Sequence, residues 1–186
     1  LAATVSETAF MQRATECMED LTGSKVSFIH FINDDQATIE LVTWSRRTLE
    51  SYCQAGFDRH YPIAKAGIWA EAFRQRKPVV INDYAQAPNQ RGLPEGHAAL
   101  TRLISLPVME GDRVRMLVGV GNKESPYNQT DVETIQLLAN EAWLIVRQQR
   151  SGDALRMSEA LLEETGQAGG VGGWELDLLT NALRWT

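Results

Sequence analysis

The spacing of apolar residues predicts a long helix near each end of the chain. Residues 4–21 carry apolar side chains at helical spacing. Residues 129–150 form a second helix, for which Thr130 and Glu133 predict an N-terminal capping box. Its helical pattern continues to about Glu164, where a run of glycines ends it. The apolar positions of this helix step by three and four, and they are Ile135, Leu138, Ala142 and Ile145.

Between these helices, alternating apolar positions predict short strands joined by hairpins. Residues 25–32 carry apolar side chains on both faces, which is typical of a central strand that is covered on both sides. A polar turn at 33–35 leads to a returning strand over 37–44. Further strands are predicted at 78–81, 102–109 and 113–120. Because hairpins dominate, the chain is predicted to be α+β, with an antiparallel central sheet.

The remaining segments have weaker patterns. Residues 45–60 are polar and are predicted to be irregular. A short helix is predicted over 67–75 and a helical turn over 98–103. The loop over 83–96 is long, and loops of this length often have a function.

Composition and charge narrow the class of protein. The 186 residues are 44% hydrophobic and 23% charged, the balance of an ordinary globular domain. The net charge is −6 and no basic patch occurs, so we expect no nucleic-acid partner. The two cysteines, Cys17 and Cys53, form no disulfide framework, and Cys17 is expected to be a packing residue. We therefore expect a cytoplasmic fragment of a larger protein, and a membrane anchor elsewhere in that protein stays open.

Motifs for catalysis and metal binding are missing from the sequence. His30, His60 and His97 do not pair at metal-ligand spacing, and no nucleophile elbow or phosphate loop occurs. We therefore predict neither a catalytic residue nor a metal site in this fragment. His30 alternates with core residues, which predicts a hydrogen-bonded core histidine, although its place on a sheet face leaves a haem-ligand role open. His97 is either a ligand contact or an anchor of its loop.

Four stretches, taken together and in order, resemble GAF domains of bacterial multi-sensor proteins. They are TWSRRTLE, HYPIAKAGIWAEAFRQRKPVVINDYAQAP, RGLPEGH and LISLPVMEGDRVRMLVGVGNKESPYNQTDVETIQLLA. The resemblance covers residues 20–150, and it implies an antiparallel sheet of about five or six strands. The terminal helices would cover one face, and loops with short helices would enclose a small-molecule pocket on the other. Residues 1–19 would be an N-terminal helix packed on this domain, and residues 151–165 a helical linker.

The C-terminal segment has its own resemblance. Residues 166–186, GQAGGVGGWELDLLTNALRWT, look like the first two strands of a PAS domain, and their glycines are interpreted as an interdomain hinge. The order GAF, helix, PAS is typical of sensor histidine kinases and of cyclic-di-GMP enzymes. The resemblance therefore implies a regulatory domain that signals through its C-terminal helix to downstream PAS and output domains. A two-component sensor histidine kinase is the favoured parent, and a diguanylate cyclase or phosphodiesterase is the alternative.

The GAF resemblance does not name a ligand, because known members bind cyclic nucleotides, bilins, haem or metabolites. We expect no bilin, since Gln54 and not His follows Cys53; no metal is expected, and haem is disfavoured. The partner is an unknown small molecule. Pocket candidates combine flat apolar walls with polar groups, and they are Trp44, Trp69, Asn82, Asp83, Tyr84, His97 and Arg102. Arg91 is a further candidate contact for an anionic group.

One segment resembles a sequence signature of the family and has a structural interpretation here. The segment GNKESPYNQTDVE resembles the family's Asn-Lys…Phe…Asp-Glu pattern. Asn122, Lys123 and Asp131 match it, Tyr127 replaces the Phe, and Glu133 comes one residue late. We predict a structural clamp in which Lys123 pairs with Asp131 while Tyr127 packs beneath.

A structural dimerisation module without a ligand is the second hypothesis, since many GAF domains form homodimers through their terminal helices. The predicted dimer helix uses Ile135, Leu138, Ala142, Trp143 and Ile145. A free-standing enzyme is disfavoured, because the two cysteines do not match the pattern of GAF relatives that reduce sulfoxides.

Overall fold

The computed structural model describes residues 6–51, 60–88, 99–169, 174–177 and 182–185. The chain divides into two compact units, Leu1–Leu144 and Ile145–Thr186. The first unit contains a sheet with its helices, and the second contains the rest of the last helix and a two-stranded hairpin. Among the described residues, no helix combines the length and the apolar character that a membrane crossing requires.

The sheet of the first unit is built from hairpins. Its strands are β1 (Val26–Ile32), β2 (Thr38–Trp44), β3 (His60–Pro62), β4 (Val79–Ile81), β5 (Leu103–Glu110) and β6 (Arg113–Gly121). They form a six-stranded sheet in the order β3-β2-β1-β6-β5-β4. Every neighbouring pair is antiparallel. The predicted α+β class and the predicted number of strands are therefore confirmed.

Four α-helices accompany the sheet. They are α1 (Glu7–Thr22), α2 (Arg46–Ser51), α3 (Glu71–Gln75) and α4 (Gln129–Gly169). Short 3₁₀ turns occupy Ile63–Lys65, Ile68–Ala70 and Tyr84–Gln86. Ser6 caps the start of α1 by accepting a hydrogen bond from the Ala9 N–H, and Gly23 ends it at a left-handed φ of 68°.

Alternation along β1 separates two faces of the sheet. On one face, the Ser27 hydroxyl donates to the Thr15 carbonyl of α1 at 3.1 Å. Phe31 lies on the same face and contacts Trp143 of α4, with ring centroids 6.0 Å apart. His30 points to the opposite face, where it stacks on Trp69 of a 3₁₀ turn. The predicted layers, with terminal helices on one face and short helices on the other, are therefore confirmed.

Two segments differ from the sequence-based expectation. The region 45–60, predicted to be irregular, contains α2, because the Ser45 hydroxyl accepts the Thr48 N–H at 3.0 Å and starts a helix. Its last residue, His60, begins β3, a short edge strand that pairs with β2. The helical turn predicted over 98–103 is wrong in its described part: residues 99–102 are not helical, and Leu103 begins β5.

The long helix also begins and ends elsewhere than predicted. Its N-cap is Asn128 and not Thr130, because the Asn128 Oδ1 accepts the Asp131 N–H at 3.1 Å. The Asp131 carboxylate accepts the Asn128 N–H in return at 2.9 Å, which completes a capping box two residues upstream of the predicted one. At the other end, α4 passes Glu164 and continues to Gly169. A helical glycine costs only about 1 kcal/mol, so a single one does not end a helix.

The second unit ends in a small hairpin. Strands β7 (Trp174–Asp177) and β8 (Ala182–Trp185) pair antiparallel, with Trp174 opposite Trp185. The two strands expected in this segment are thus present, whereas their assignment to a PAS domain stays a prediction.

Candidate functional site

An aromatic cluster occupies the sheet face opposite α1 and α4. It consists of Phe28 and His30 on β1 and Trp69 on the 3₁₀ turn above them. The His30 and Trp69 rings are stacked, with centroids 4.4 Å apart and planes inclined by 14°. Phe28 lies 5.2 Å from the His30 ring and meets Trp69 edge-on at 5.7 Å. The cluster therefore presents flat apolar surfaces around one polar ring.

Backbone and small side chains hold this cluster in position. The Ser105 hydroxyl donates to the Trp69 carbonyl at 2.6 Å and ties the 3₁₀ turn to β5. Gly119 pairs with Phe28 across β1 and β6. A Cβ at Gly119 would lie 2.2 Å from the Phe28 Cζ, so only glycine allows the ring to rest on β6. The close approach of the Phe28 ring therefore depends on the missing side chain of Gly119.

His30 differs from an ordinary core histidine in its hydrogen bonding. Its side chain is buried, with 5% of the residue exposed. Within the part of the chain that the structure describes, the buried Nδ1 has no hydrogen-bond partner. Burial lowers the pKa of His30 to about 3, so the imidazole is neutral at pH 7. The expected burial is present, but the expected hydrogen bond is missing at Nδ1 among the described residues.

Two predicted pocket residues lie on the same face as the aromatic cluster. Trp69 is a member of it, and Trp44 pairs with Phe28 across β1 and β2. Tyr84 lies deeper and packs with Ile68 and Leu103. It is 7% exposed, and burial raises its pKa. Tyr84 is therefore a core residue beside the cluster and not an accessible ligand contact.

Other predicted pocket residues lie at the start of α4. The Asn82 side chain donates to the Tyr127 carbonyl at 3.0 Å and accepts the Tyr127 N–H at 2.6 Å. Arg102 donates to the Lys123 carbonyl at 3.0 Å. Asp83 is exposed and caps a 3₁₀ turn by accepting the Gln86 N–H at 3.3 Å. Asn82 and Asp83 thus have backbone partners, whereas the buried Nε of Arg102 has none among the described residues. His97 and Arg91 lie outside the described residues.

The signature residues meet where β6 passes into α4. The Lys123 Nζ lies 2.7 and 2.8 Å from the two carboxylate oxygens of Asp131. Tyr127 is 4% exposed, and its hydroxyl lies 2.8 Å from the Ser24 hydroxyl. Burial raises the pKa of Tyr127 to about 12. Asn122 adopts a left-handed φ of 62°, and its side chain bonds the Thr101 N–H at 2.8 Å. The clamp geometry is thus that of a buried ion pair over a packed tyrosine.

The structure changes which residues of the predicted dimer helix are exposed. Ile135 is 0% exposed and Ala142 is 3% exposed, so the domain itself covers them and no partner chain can reach them. Leu138 and Trp143 are half-buried. Ile145, at 37%, is exposed, as are Leu137 at 63% and Leu144 at 42%. The exposed apolar positions on this part of α4 are therefore mostly not those that the periodicity selected.

A second buried group, which the sequence did not single out, lies between α1 and α2. Glu19 is 1% exposed and accepts hydrogen bonds from the hydroxyls of Ser45 and Thr48. Arg47 lies 3.7 Å from its carboxylate. Desolvation raises the pKa of Glu19, and the hydrogen bond from Ser45 and the charge of Arg47 oppose that shift. We call Glu19, Ser45 and Thr48 the polar cluster.

The described residues include no group of three or more His, Cys, Asp or Glu side chains placed to hold a metal ion. Cys17, expected to be a packing residue, is exposed on α1. It lies on the side of the helix that faces away from the sheet, so its burial was predicted wrongly.

A six-stranded antiparallel sheet with terminal helices on one face and short helices on the other is the architecture of a GAF domain. A family model for the GAF domain matches residues 4–147. The chain therefore belongs to the GAF domain family.

Similar proteins include a sensor and a chemotaxis protein. The methyl sulfide methyltransferase-associated sensor of Methanosarcina acetivorans is 36% identical over 137 residues, or 73% of this chain. The matched part spans only 14% of that relative's length. The fold is similar to residues 122 to 287 of a methyl-accepting chemotaxis protein, with a TM-score of 0.61 at 21% identity, covering 77% of this chain and 91% of that one.

A further solved structure agrees in fold. The GAF domain of an Acinetobacter phosphoenolpyruvate-protein phosphotransferase gives a TM-score of 0.62 at 12% identity. The match covers 80% of this chain and 87% of that chain. At this identity the likeness concerns the fold alone.

Proposed function

We propose that this GAF domain senses a small molecule that binds on the sheet face of the aromatic cluster. The observation that carries the proposal is the buried Nδ1 of His30, which has no partner among the described residues. Leaving a buried polar group without a hydrogen bond costs about 1–3 kcal/mol, and such a group in a native protein calls for an explanation. A ligand that supplies the missing bond would recover that free energy on binding.

The route of the signal follows the contacts of β6. Gly119 of β6 supports the Phe28 ring, and Lys123 just beyond the strand holds Asp131 in the first turn of α4. A ligand that moves the aromatic cluster would thereby displace the start of α4. Ligand binding changes this equilibrium only if the two arrangements of the domain differ in affinity for the ligand. The similarity to a named sensor supports this assignment.

Two tryptophans on opposite faces of the sheet provide the test. Trp69 contacts His30, and Trp143 contacts Phe31 on the other face. Trp69→Leu and Trp143→Leu both remove a ring from the sheet, so both should lower the melting temperature. We expect metabolites and nucleotides that raise the melting temperature of the parent chain to lose this effect in Trp69→Leu only. Loss of the effect in both variants, or in Trp143→Leu alone, would contradict a site at the aromatic cluster.

The output is also a proposal. By its GAF, helix, PAS order, the domain would regulate a cytoplasmic two-component histidine kinase through α4 and the following PAS domain. A diguanylate cyclase or phosphodiesterase is the alternative. Autophosphorylation and cyclic-di-GMP synthesis or hydrolysis, measured on the full parent protein with and without a stabilising ligand, distinguish these outputs.

A dimerisation role has support from exposed leucines on α4. Leu137 and Leu144 lie one heptad apart and are 63% and 42% exposed, which is unusual for large apolar side chains. We propose that they pair with a second copy of the chain. Light scattering on the unaltered chain and on the double variant Leu137→Glu/Leu144→Glu tests this. We expect the unaltered chain to be a dimer and the double variant to be a monomer. A parent chain that stays monomeric at high concentration excludes the role, whereas ligand sensing would be unaffected.

A further inference from the structure

His30 lies in surroundings that suit an uncharged imidazole only. Its ring stacks on Trp69 at 4.4 Å and lies 5.2 Å from Phe28, and neither neighbour carries a charge. Across β1 and β6, His30 pairs with Leu117, which is fully buried. Placing a proton on this ring would create a charge in an apolar site without a counter-ion among these neighbours. Desolvation accordingly lowers the pKa of His30 to about 3.

Two cationic side chains, one on α3 and one just before β5, already make contacts. Arg74 of α3 pairs with Glu71 at 2.6 Å and donates to the Ala66 carbonyl at 2.9 Å. Arg102, which precedes β5, donates to the Lys123 carbonyl. An anionic ligand that used Arg74 would have to displace these partners, and one that used His30 would have to protonate its ring. A neutral ligand needs neither change.

We infer that the ligand of this face is an uncharged molecule with a flat apolar body, and that it makes its polar contact with the neutral imidazole of His30. This inference rests on the proposed function. The stack on Trp69 covers the face of the imidazole and not its edge, so a ligand approaches the ring nitrogens in the plane of the ring. The half-buried rings of Phe28 and Trp69 supply the apolar walls. His30 is then the residue that makes the site prefer uncharged ligands.

Matched pairs of small aromatic probes test the charge preference directly. We would compare nicotinamide with nicotinate, indole-3-acetamide with indole-3-acetate, and adenosine with its monophosphate, using the full 186-residue chain. Thermal shift detects binding, and calorimetry in buffers of different ionisation enthalpy measures proton uptake. The expected result is binding of a neutral member with no proton uptake at pH 7. Preferred binding of an anionic member with uptake of a proton overturns the inference and leaves the proposed sensor function standing.

The role of His30 itself is tested by substitution and by a measurement on the unaltered chain. His30→Leu should weaken the best neutral probe by roughly tenfold, the value of one hydrogen bond, while His60→Gln should leave its affinity unchanged. Should His30→Leu fail to fold, nitrogen NMR of the labelled parent chain still decides: the imidazole nitrogens of His30 should shift on binding and stay neutral. A probe that binds without moving the His30 resonances overturns the inference. Binding of none of the probes, combined with a trapped water on Nδ1, overturns both it and the proposed site.

Discussion

Two buried ionisable side chains lie on opposite sides of the sheet and have opposite surroundings. Glu19 accepts hydrogen bonds from Ser45 and Thr48 and has Arg47 nearby. His30 is enclosed by rings, and its Nδ1 has no partner among the described residues. The first arrangement satisfies a buried group and ties α1 to α2. The second leaves a hydrogen-bonding group unused, which is a cost for stability alone and a benefit once a ligand binds.

The same burial shifts the two pKa values in opposite directions. Desolvation disfavours the charged form of each group, so it raises the pKa of Glu19 and lowers that of His30. Acid therefore favours the folded state through Glu19 and disfavours it through His30. Measurements of stability against pH can therefore separate the contributions of the two faces.

The largest expected effect is the loss of stability in acid through His30. Its folded-state pKa of about 3 lies below the ordinary 6.5, so the stability it contributes is complete above pH 6.5 and is lost as the pH falls toward 3. At pH 4 the loss is about 3 kcal/mol, since one pKa unit corresponds to 1.36 kcal/mol. Urea unfolding at pH 7.5 and pH 4 should show this drop in the parent and in His60→Gln, and a smaller drop in His30→Leu. An equal drop in all three chains would contradict the burial of a neutral His30.

The clamp should give the next largest effect. Lys123→Ala leaves the Asp131 carboxylate, with 9% of its side chain exposed, without its cation and should cost about 2–3 kcal/mol of unfolding free energy. The control is Lys25→Ala, whose pair with Glu124 is 43% and 85% exposed and should contribute less than about 1 kcal/mol. Both values follow from urea unfolding. If Lys123→Ala loses ligand binding at unchanged stability, the clamp interpretation is wrong and Lys123 belongs to the ligand site.

Disturbing the support beneath Phe28 should have an intermediate effect. Gly119→Ala places a methyl group where the Phe28 ring lies, with the Ile104 carbonyl 3.0 Å away on the other side, and should cost about 2 kcal/mol. Gly152→Ala is the matched control, because its helical site is open and alanine should stabilise it by up to about 1 kcal/mol. Thermal unfolding compares the two. A Gly119→Ala chain as stable as the parent would show that Phe28 does not need this contact.

The smallest expected effect comes from Glu19, the buried group whose hydrogen bonds are satisfied. Glu19→Gln removes the cost of a buried charge but also weakens the pairing with Arg47, so stability at pH 7 should change by less than about 1 kcal/mol. Since the folded-state pKa is raised above 4.5, the parent gains stability through Glu19 as the pH falls toward that value, and the variant lacks this gain. The difference between parent and variant, measured by urea unfolding from pH 7 to pH 4.5, isolates the effect. Glu124→Gln, which alters an exposed carboxylate, is the control variant.

Much of the fold could be predicted because its signals are local. The hairpin β5–β6 follows from alternating apolar residues around Glu110-Gly111-Asp112, and β1 from apolar side chains on both faces. Lys123 and Asp131 lie close together in the sequence. Their ion pair was predicted from the match to the family signature. The predicted positions of helices were wrong where the start of a helix depends on a single capping hydrogen bond. Ser45 starts α2 in this way, and Asn128 moves the start of α4.

The candidate site was predictable only in part. Trp69 and Trp44 were expected as apolar walls, and both lie on the predicted face. Asn82 and Arg102 were expected beside them, but their hydrogen bonds place them next to Tyr127 and Lys123. A polar residue after a strand looks the same in sequence whether it meets a ligand or a backbone group. The distinction depends on chain segments that are distant in sequence.

The sequence by itself determined the order of helices and strands, the antiparallel class, the family and the short-range clamp, because periodicity, capping and local charge pairs act within a few residues. Only the tertiary structure decided which buried groups are satisfied. Glu19 finds hydroxyls more than 20 residues away, at Ser45 and Thr48, whereas His30 finds Trp69 and no polar partner at Nδ1 within the described residues. Hydrogen-bond satisfaction is set by the packing of distant segments, and a single strand of alternating residues carries no record of it.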